Sequence, residues 1–170
     1  MLIRKATGEE MLRLWGYQDP ASASYTAKFY YHNISSGNAV FWTLDNDGDL
    51  IGELYVFLNL EDKDFADGET TAYLCAFRVK GEYRGQGLGS RLLNAALANL
   101  KEAGFRTATI GVGSDKPQNI QLYRRFGFTR KVKDCHYDPC GMDADNQPEY
   151  EEEAWWLLSK DLQPPGRNTV

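Results

Sequence analysis

The chain has 170 residues, 42% of them hydrophobic, which is enough for one domain with a substantial core. Its 19 Lys and Arg residues against 24 Asp and Glu residues give a formal net charge of −5, and no long basic stripe is present, which argues against a nucleic-acid-binding surface. No signal peptide or long apolar segment is evident, so we expect a cytoplasmic protein without membrane contact, formed by one domain over 1–162 and a C-terminal tail over 163–170.

Two helices are predicted near the start of the chain. Thr7 followed by Glu10 forms a capping-box pattern, so the first helix begins at Thr7. A second helix follows Pro20 and ends before the small residues at 35–37. Aromatic residues recur along this second helix, where they either line a pocket or pack in the core.

Three strands follow these helices. The β-rich runs 39–44 and 50–58 are separated by the turn-rich segment 45–49, whose Asp-Gly step suits a hairpin. The second and third strands of the fold are therefore predicted to be antiparallel neighbours. An acidic loop then leads into 70–79, which reads as a mostly buried fourth strand.

The second half of the chain begins with a parallel crossover. Leucine and alanine recur at helical spacing over 92–100, and 106–112 reads as a fifth strand, so the helix connects two parallel strands. A short helix begins at Pro117. Two last strands are predicted over 129–137 and 150–158, joined by a polar loop that includes Pro139, Gly141 and Pro148.

A glycine-rich turn lies between the fourth strand and the crossover helix. Small residues at Gly85, Gly87 and Gly89 let the backbone turn tightly, so successive N–H groups can converge on a phosphate at the helix N-terminus. The turn lacks the Gly-Lys-Ser/Thr ending of a P-loop and the glycine spacing of a dinucleotide-binding motif. A turn that only caps the helix or permits close packing is the alternative.

The three cysteines, Cys75, Cys135 and Cys140, favour a reducing compartment because their number is odd. Cys135, His136 and Cys140 have part of a metal-site spacing, but a zinc site needs a fourth ligand and no convincing partner is present. We therefore predict no metal, and a redox or metal-binding function is the last of the alternatives.

Two motifs in this order resemble the GCN5-related N-acetyltransferase (GNAT) family. The family's glycine motif is met by Arg84, Gly87 and Gly89, and its later signature by Leu122, Tyr123, Gly127 and Phe128. The resemblance implies an α/β fold with one mixed, mostly antiparallel sheet of six or seven strands and about four helices, in which strands four and five are parallel and splayed apart.

The resemblance also implies an acetyl-CoA-dependent N-acetyltransferase that acts on a primary amine of a small molecule or peptide by direct attack in a ternary complex. A non-catalytic acyl-CoA-binding or sensor domain of the same fold is the alternative. In this family the glycine turn holds the pyrophosphate, and backbone groups of strand four hold the pantetheine arm. The matching cofactor residues are Phe77, Val79, Arg84, Gly85, Gln86, Gly87, Leu88, Gly89 and Ser90.

Tyr123 occupies the position of the family's general acid, which protonates the departing thiolate; a core aromatic is the alternative. The general base is less determined, because no His, Asp or Glu occurs in 70–79. Glu53 can face the central cleft, Glu69 lies at the edge of strand four, and water or an amine that arrives neutral could replace both. We predict Glu53, with a solvated strand carboxylate as the alternative.

One departure from the family concerns the cofactor. Where the family often has an asparagine seven residues before the tyrosine, this chain has Lys116, which could reach a CoA phosphate or lie on the surface. Asn119 lies four residues before Tyr123 and is the predicted substitute, because its amide could bond the pantetheine arm.

Six carboxylates and no Lys or Arg lie within 143–153. They either form a solvated face or attract a cationic acceptor such as a polyamine, an aminoglycoside or a lysine side chain. Trp155 and Trp156 cannot both face the core from one regular strand, so one of them could cover an interface or the cleft. A homodimer through the last strands is therefore a further expectation.

Overall fold

The computed structural model describes residues 1–162, and the predicted tail over 163–170 lies outside the described residues. One seven-stranded sheet and four α-helices make up the described part, as the α/β prediction requires. The elements in chain order are β1 (Leu2–Ala6), α1 (Gly8–Leu14), α2 (Tyr25–Ser35), β2 (Ala39–Asn46), β3 (Asp49–Phe57), β4 (Thr71–Val79), α3 (Leu88–Glu102), β5 (Thr107–Gly113), α4 (Pro117–Arg125), β6 (Arg130–Met142) and β7 (Pro148–Asp161).

Local capping explains where the first two helices begin. Thr7 caps α1 in a full capping box with Glu10, as predicted. α2 begins at Tyr25, five residues after Pro20, because the Ser24 side chain accepts a hydrogen bond from the backbone N–H of Ala27. The helix that follows Pro20 is therefore confirmed, and its start is set by the serine cap.

The strands are ordered β1-β2-β3-β4-β5-β7-β6. β4 and β5 are parallel, whereas every other neighbouring pair is antiparallel. The parallel pairing joins only Thr71–Leu74 to Thr107–Ile110, and the strands separate beyond it. This confirms the predicted mixed sheet with β4 and β5 splayed apart at their C-terminal ends.

The last two strands are longer than predicted. β6 continues to Met142 and β7 begins at Pro148, so the predicted polar loop, with its two prolines and its glycine, is mostly strand. The prediction of a loop there was wrong because both prolines lie where a strand tolerates them. Pro139 is on the edge strand β6, which has register shifts, and Pro148 is the first residue of β7. The hairpin therefore extends beyond the end of β5.

The sheet separates two hydrophobic layers. α3 and its neighbours cover one face, around Leu92, Leu93 and Phe128, while α1 and α2 cover the other, around Met11, Tyr30 and Tyr55. Within the described residues, no helix has the length and apolar character needed to span a membrane. The site described next lies where β4 and β5 separate between these two layers.

Candidate active site

A β-bulge interrupts β4 at its middle. Glu53 of β3 lies opposite Arg78, and Tyr55 lies opposite Cys75, so β4 has one more residue than β3 across this stretch. Ala76 takes up the extra residue in the left-handed conformation, with φ at 50°. Since β4 pairs with β5 only before the bulge, the second half of β4 has an edge whose backbone groups are available to a ligand.

The glycine turn forms an open helix N-terminus next to this edge. Gly85 and Gly87 have φ values of 80° and 77°, a conformation that side chains with a Cβ atom adopt only at a cost. Gly87 is the N-cap of α3 and supplies no side-chain cap, so the first amides, including those of Gly89 and Ser90, are open to an anion. Gln86, between the two glycines, is exposed. The geometry suits a phosphate group.

The start of α3 packs closely on the end of β4. A Cβ atom at Gly89 would lie 3.1 Å from Cζ of Phe77 and 3.6 Å from Cγ2 of Val79, so both side chains point towards α3. Arg84 Nε donates a hydrogen bond to the Val79 carbonyl oxygen at 2.9 Å, which ties the turn to β4. Arg84 is exposed, and the rest of its guanidinium remains available to a phosphate.

Two cavities meet at the bulge, on the sheet face that α1 and α2 cover. The first, here called the Glu53 cavity, has a volume of about 690 Å³ and extends from Trp15 to Arg84. The second, here called the acidic cavity, has a volume of about 570 Å³ and lies at the opening between β4 and β5. Tyr30, Ala76 and Arg78 line both cavities, so the two are adjacent. The carboxylates of the acidic cavity are Asp115, Asp138, Glu151 and Glu153.

Glu53 lies in the wall of its cavity and is only 6% exposed. Its Oε1 atom lies 2.5 Å from Nη2 of Arg78, which is largely exposed. Burial raises the pKa of the Glu53 carboxyl, and the positive charge of Arg78 acts in the opposite direction. The alternative of a solvated strand carboxylate is therefore wrong, and a carboxyl with a raised pKa beside the open edge of β4 suits a general base.

Glu69, the other carboxylate considered, lies before the first residue of β4, at the end opposite the glycine turn. It is exposed, its backbone N–H donates to Asp67, and it lines neither cavity. This position favours Glu53 over Glu69.

Tyr123 lies on α4, where it packs against the core on the α3 face. Its ring meets Phe128 edge to face with the ring centroids 6.3 Å apart. Burial raises the pKa of the Tyr123 phenol, so the hydroxyl keeps its proton at neutral pH. Tyr123 lines neither cavity, so to act on a bound thioester its hydroxyl would have to reach the opening between β4 and β5.

The two polar candidates at the start of α4 differ in position. Lys116 is the N-cap of α4, has no side-chain capping bond and lines the acidic cavity. Asn119 is exposed and lines neither cavity, although it lies on the first turn of α4. The geometry therefore brings Lys116, and not Asn119, to the opening between the strands.

Sequence patterns missed the partners of Glu53. Arg78 and Trp15 come to this carboxylate from β4 and from the end of α1, and Tyr55 lies two residues further along β3. The alternation of β3 could have found Tyr55, because residues two apart in a strand share a face. Arg78 could not have been found, because the one-residue bulge changes which face it occupies.

Known proteins resemble this chain in both sequence and fold. N-alpha-acetyltransferase 30 of Schizosaccharomyces pombe is 28% identical over 123 residues, which cover 72% of this chain and 77% of that protein. Mycothiol acetyltransferase of Nocardiopsis dassonvillei is 28% identical over 104 residues, which cover 61% of this chain but only 32% of that protein. A crystal structure of aminoglycoside 6'-N-acetyltransferase complexed with coenzyme A aligns with a TM-score of 0.65 at 14% identity, covering 98% of this chain and all of that one.

The sequence pattern of the acetyltransferase (GNAT) family matches residues 6–128, which include β4, the glycine turn, α3 and α4. Enzymes of this family use acetyl-CoA as the acetyl donor. The open edge of β4 and the uncapped start of α3 are the features that such a donor requires. The chain therefore belongs to the acetyltransferase (GNAT) family and is an acetyl-CoA-dependent N-acetyltransferase.

Proposed function

We propose that this enzyme transfers the acetyl group to a primary amine of a cationic small molecule or peptide, by direct attack in a ternary complex. The observation that carries the proposal is the meeting of the Glu53 cavity and the acidic cavity at the bulge of β4. A donor along the open edge of β4 would present its thioester at this junction, where an amine could arrive from either cavity.

The donor site follows the end of β4 and the start of α3. The backbone amides of 85–90 would hold the pyrophosphate, with the guanidinium of Arg84 beside them. The pantetheine arm would bond the unpaired backbone of Phe77 and Val79 as an additional strand. Lys116 lines the acidic cavity at the opening and supports a further contact, whereas Asn119, on the first turn of α4, lines neither cavity.

The chemistry needs a base and an acid on opposite sides of the thioester. Glu53 would remove a proton from the acceptor ammonium, and the free amine would attack the thioester carbonyl. The carbon–sulfur bond then breaks, and Tyr123 would give its proton to the departing thiolate. The second proton that the attacking nitrogen loses as the amide forms would restore the Tyr123 phenol, and Glu53 would return its proton to solvent. A carboxyl with a raised pKa and a phenol that keeps its proton suit these two roles at neutral pH.

The charge of the acidic cavity supports a cationic acceptor. Within residues 1–162, none of the ion pairs includes Asp138, Glu151 or Glu153. Burial and the like charges of Asp138 and Glu149 raise the pKa of Glu151, although Arg78 and Lys116 line the same cavity as its four carboxylates. A second positive group on the acceptor would relieve this repulsion.

The names of the similar proteins differ: one is an N-alpha-acetyltransferase, one a mycothiol acetyltransferase and one an aminoglycoside 6'-N-acetyltransferase. The acceptor is therefore proposed here by charge alone. A reducing, cytoplasmic setting is supported by Cys75, Cys135 and Cys140, all of which are free thiols. A homodimer stays a prediction, supported by the exposed Tyr137 and Tyr150 on the extended β6–β7 hairpin.

The test is the release of CoA thiol from acetyl-CoA across polyamines, aminoglycosides, amino acids and lysine or N-terminal peptides. Turnover on a cationic amine that is lost in Tyr123→Phe would support both the acceptor class and the acid. Tyr31→Phe is the matched control, because its hydroxyl bonds Glu9 outside both cavities. Saturable acetyl-CoA binding without turnover on any amine would favour the non-catalytic sensor instead.

A further inference from the structure

Two thiols from separate strands meet beside the bulge of β4. Cys75 of β4 shares a hydrogen bond of 3.3 Å with the hydroxyl of Tyr30, in which either atom can donate, and a second one with the thiol of Cys140 on β6. Two strands lie between β4 and β6 in the sheet, so this contact depends on the end of β6 lying against α2. There the backbone N–H of Met142 donates to Oγ1 of Thr26 at 3.0 Å. Direct contact between two thiols is the first requirement of a disulfide.

The two thiols differ in access. Cys75 is half-buried, lines the acidic cavity and directly precedes Ala76, the residue of the bulge. Cys140 is fully buried and lines neither cavity. Burial raises the pKa of the Cys140 thiol, and its hydrogen bond with Cys75 raises it further. A reagent that enters the acidic cavity therefore meets Cys75 first, and Cys140 can react only with a group already attached to Cys75.

The acidic cavity favours reagents of positive charge. Among the described residues that line it, four carboxylates outnumber two cationic side chains, Arg78 and Lys116. A cleft with this balance concentrates small cations and repels anions such as glutathione disulfide. Cystamine, a disulfide with an ammonium group at each end, has the charge that fits.

We propose that Cys75 is a modification site for cationic low-molecular-weight disulfides, and that Cys140 is its resolving thiol. Cys75 gives up its proton and its sulfur attacks the reagent, whose S–S bond breaks, so that one aminothiol leaves with the proton. Cys140 then attacks Sγ of Cys75 in the same way and releases the second aminothiol. The two cysteines are oxidised to one disulfide, and the reagent is reduced to two aminothiols.

Cys135 provides an internal control on the same strand as Cys140. It is buried, and the charged groups that act on it are Lys133 and nearby aspartates, away from Cys75. Burial raises the pKa of the Cys135 thiol to about 11, so little of the reactive thiolate is present at neutral pH. This thiol should stay reduced while the other two react.

The first test maps the disulfide in the wild-type enzyme. The reduced protein is treated with cystamine at neutral pH, denatured, alkylated with N-ethylmaleimide and digested at aspartate, which separates Cys135 from Cys140 because Asp138 lies between them. Mass spectrometry should find the peptide of Cys75 joined to that of Cys140, and Cys135 alkylated. Alkylated Cys75, or Cys75 joined to Cys135, would overturn the proposal.

Three variants test the order of the two steps. In Cys140→Ala the aminothiol should stay on Cys75, whereas Cys75→Ala should form neither product and Cys135→Ala should react like the wild type. Failure of the mixed disulfide to accumulate in Cys140→Ala would overturn the role of Cys140. Cys140→Ser is a second form of this test, and the wild-type digest depends on neither variant folding.

The selection by charge has its own test. The double variant of Glu151→Gln and Glu153→Gln removes two of the four carboxylates, so its reaction with cystamine should be about threefold slower or more. Its reaction with bis(2-hydroxyethyl) disulfide, which has no charge, should keep the wild-type rate. Equal slowing with both reagents, or slowing with neither, would overturn the selection of a cationic disulfide.

A last readout concerns acetyl transfer and alone rests on the proposed function. Because Cys75 lies at the junction of the two cavities, turnover on a cationic amine should fall as the disulfide forms and return when dithiothreitol reduces it. Unchanged turnover in the oxidised enzyme would overturn control of acetyl transfer by this pair. If the reduced enzyme acetylates no amine, the proposed function fails, whereas the digest still decides whether Cys75 and Cys140 react as a pair.

Discussion

Replacement of Glu53 by glutamine should separate activity from stability. The substitution keeps the size of a side chain that is only 6% exposed, but it removes the proton acceptor. General-base catalysis contributes about 10²- to 10⁴-fold to the rate, so kcat should fall by that factor, equivalent to about 2.7–5.4 kcal/mol in the barrier. The loss should be greatest where the wild-type carboxyl is ionised, above its raised pKa.

The same variant should not lose stability at neutral pH. Because burial raises the pKa of Glu53 in the folded protein, folding favours the neutral carboxyl. Its contribution to stability is therefore present below the unfolded-state pKa of about 4.3 and is lost as pH rises through the folded-state value. The glutamine in this variant cannot ionise, so the variant does not lose stability as pH rises. Its melting temperature should therefore increase relative to that of the wild type between low and high pH.

The assay compares CoA release and thermal unfolding between pH 5 and pH 8.5 for the wild type, Glu53→Gln and Glu69→Gln. Glu69 is the matched control because it is exposed and lies at the other end of β4. Near-normal kcat in Glu53→Gln, or a larger loss in Glu69→Gln, would refute the assignment of the base. A difference in melting temperature that shrinks with rising pH would refute the electrostatic reasoning.

Three further predictions follow from the same structure. Gly87→Ala should weaken acetyl-CoA binding and cost about 1 kcal/mol of stability, since Gly87 has φ at 77°; calorimetric titration with unchanged affinity would contradict this. The double variant of Glu151→Gln and Glu153→Gln should raise the KM for an acceptor with a second positive group and flatten its salt dependence, whereas an acceptor whose reacting amine is its only charge should be much less affected. Asp67→Asn should destabilise the protein by about 1–3 kcal/mol in urea unfolding, because the amide oxygen of Asn accepts the three backbone N–H bonds without the negative charge that strengthens them in Asp67. These bonds hold the pKa of Asp67 below its usual range, so the wild type should lose this advantage below about pH 4; a difference that stays constant at all pH values would contradict the prediction.

Local patterns were sufficient where each residue interacts with its chain neighbours. The capping box at Thr7 begins α1 as predicted, and the glycines at 85 and 87 adopt the left-handed backbone that a tight turn needs. The loop predicted around Pro139 failed for the opposite reason. Whether a proline can lie in a strand depends on whether that strand is at the edge of the sheet, and strand order is a long-range property.

The surroundings of Glu53 show the same limit. Alternation in β3 correctly indicated that this residue could face the centre of the fold, but a period of two cannot distinguish a buried face from a solvated one. Its burial depends on α1, which brings Trp15 over the sheet, and its ion pair depends on the bulge at Ala76. Neither can be inferred from the residues next to Glu53.

The sequence by itself determined the family, the glycine turn before α3 and the order of helices and strands, because glycine conformation, helix caps and hydrophobic periodicity act over a few residues. Tertiary structure alone decided which acids and bases meet. Arg78 on β4 reaches Glu53 on the neighbouring strand β3, and the carboxylates of β7 reach the opening between β4 and β5. Tyr123 packs on the α3 face of the sheet. These pairings follow from strand register and from the layers that cover the sheet, which are set by contacts far apart in the chain.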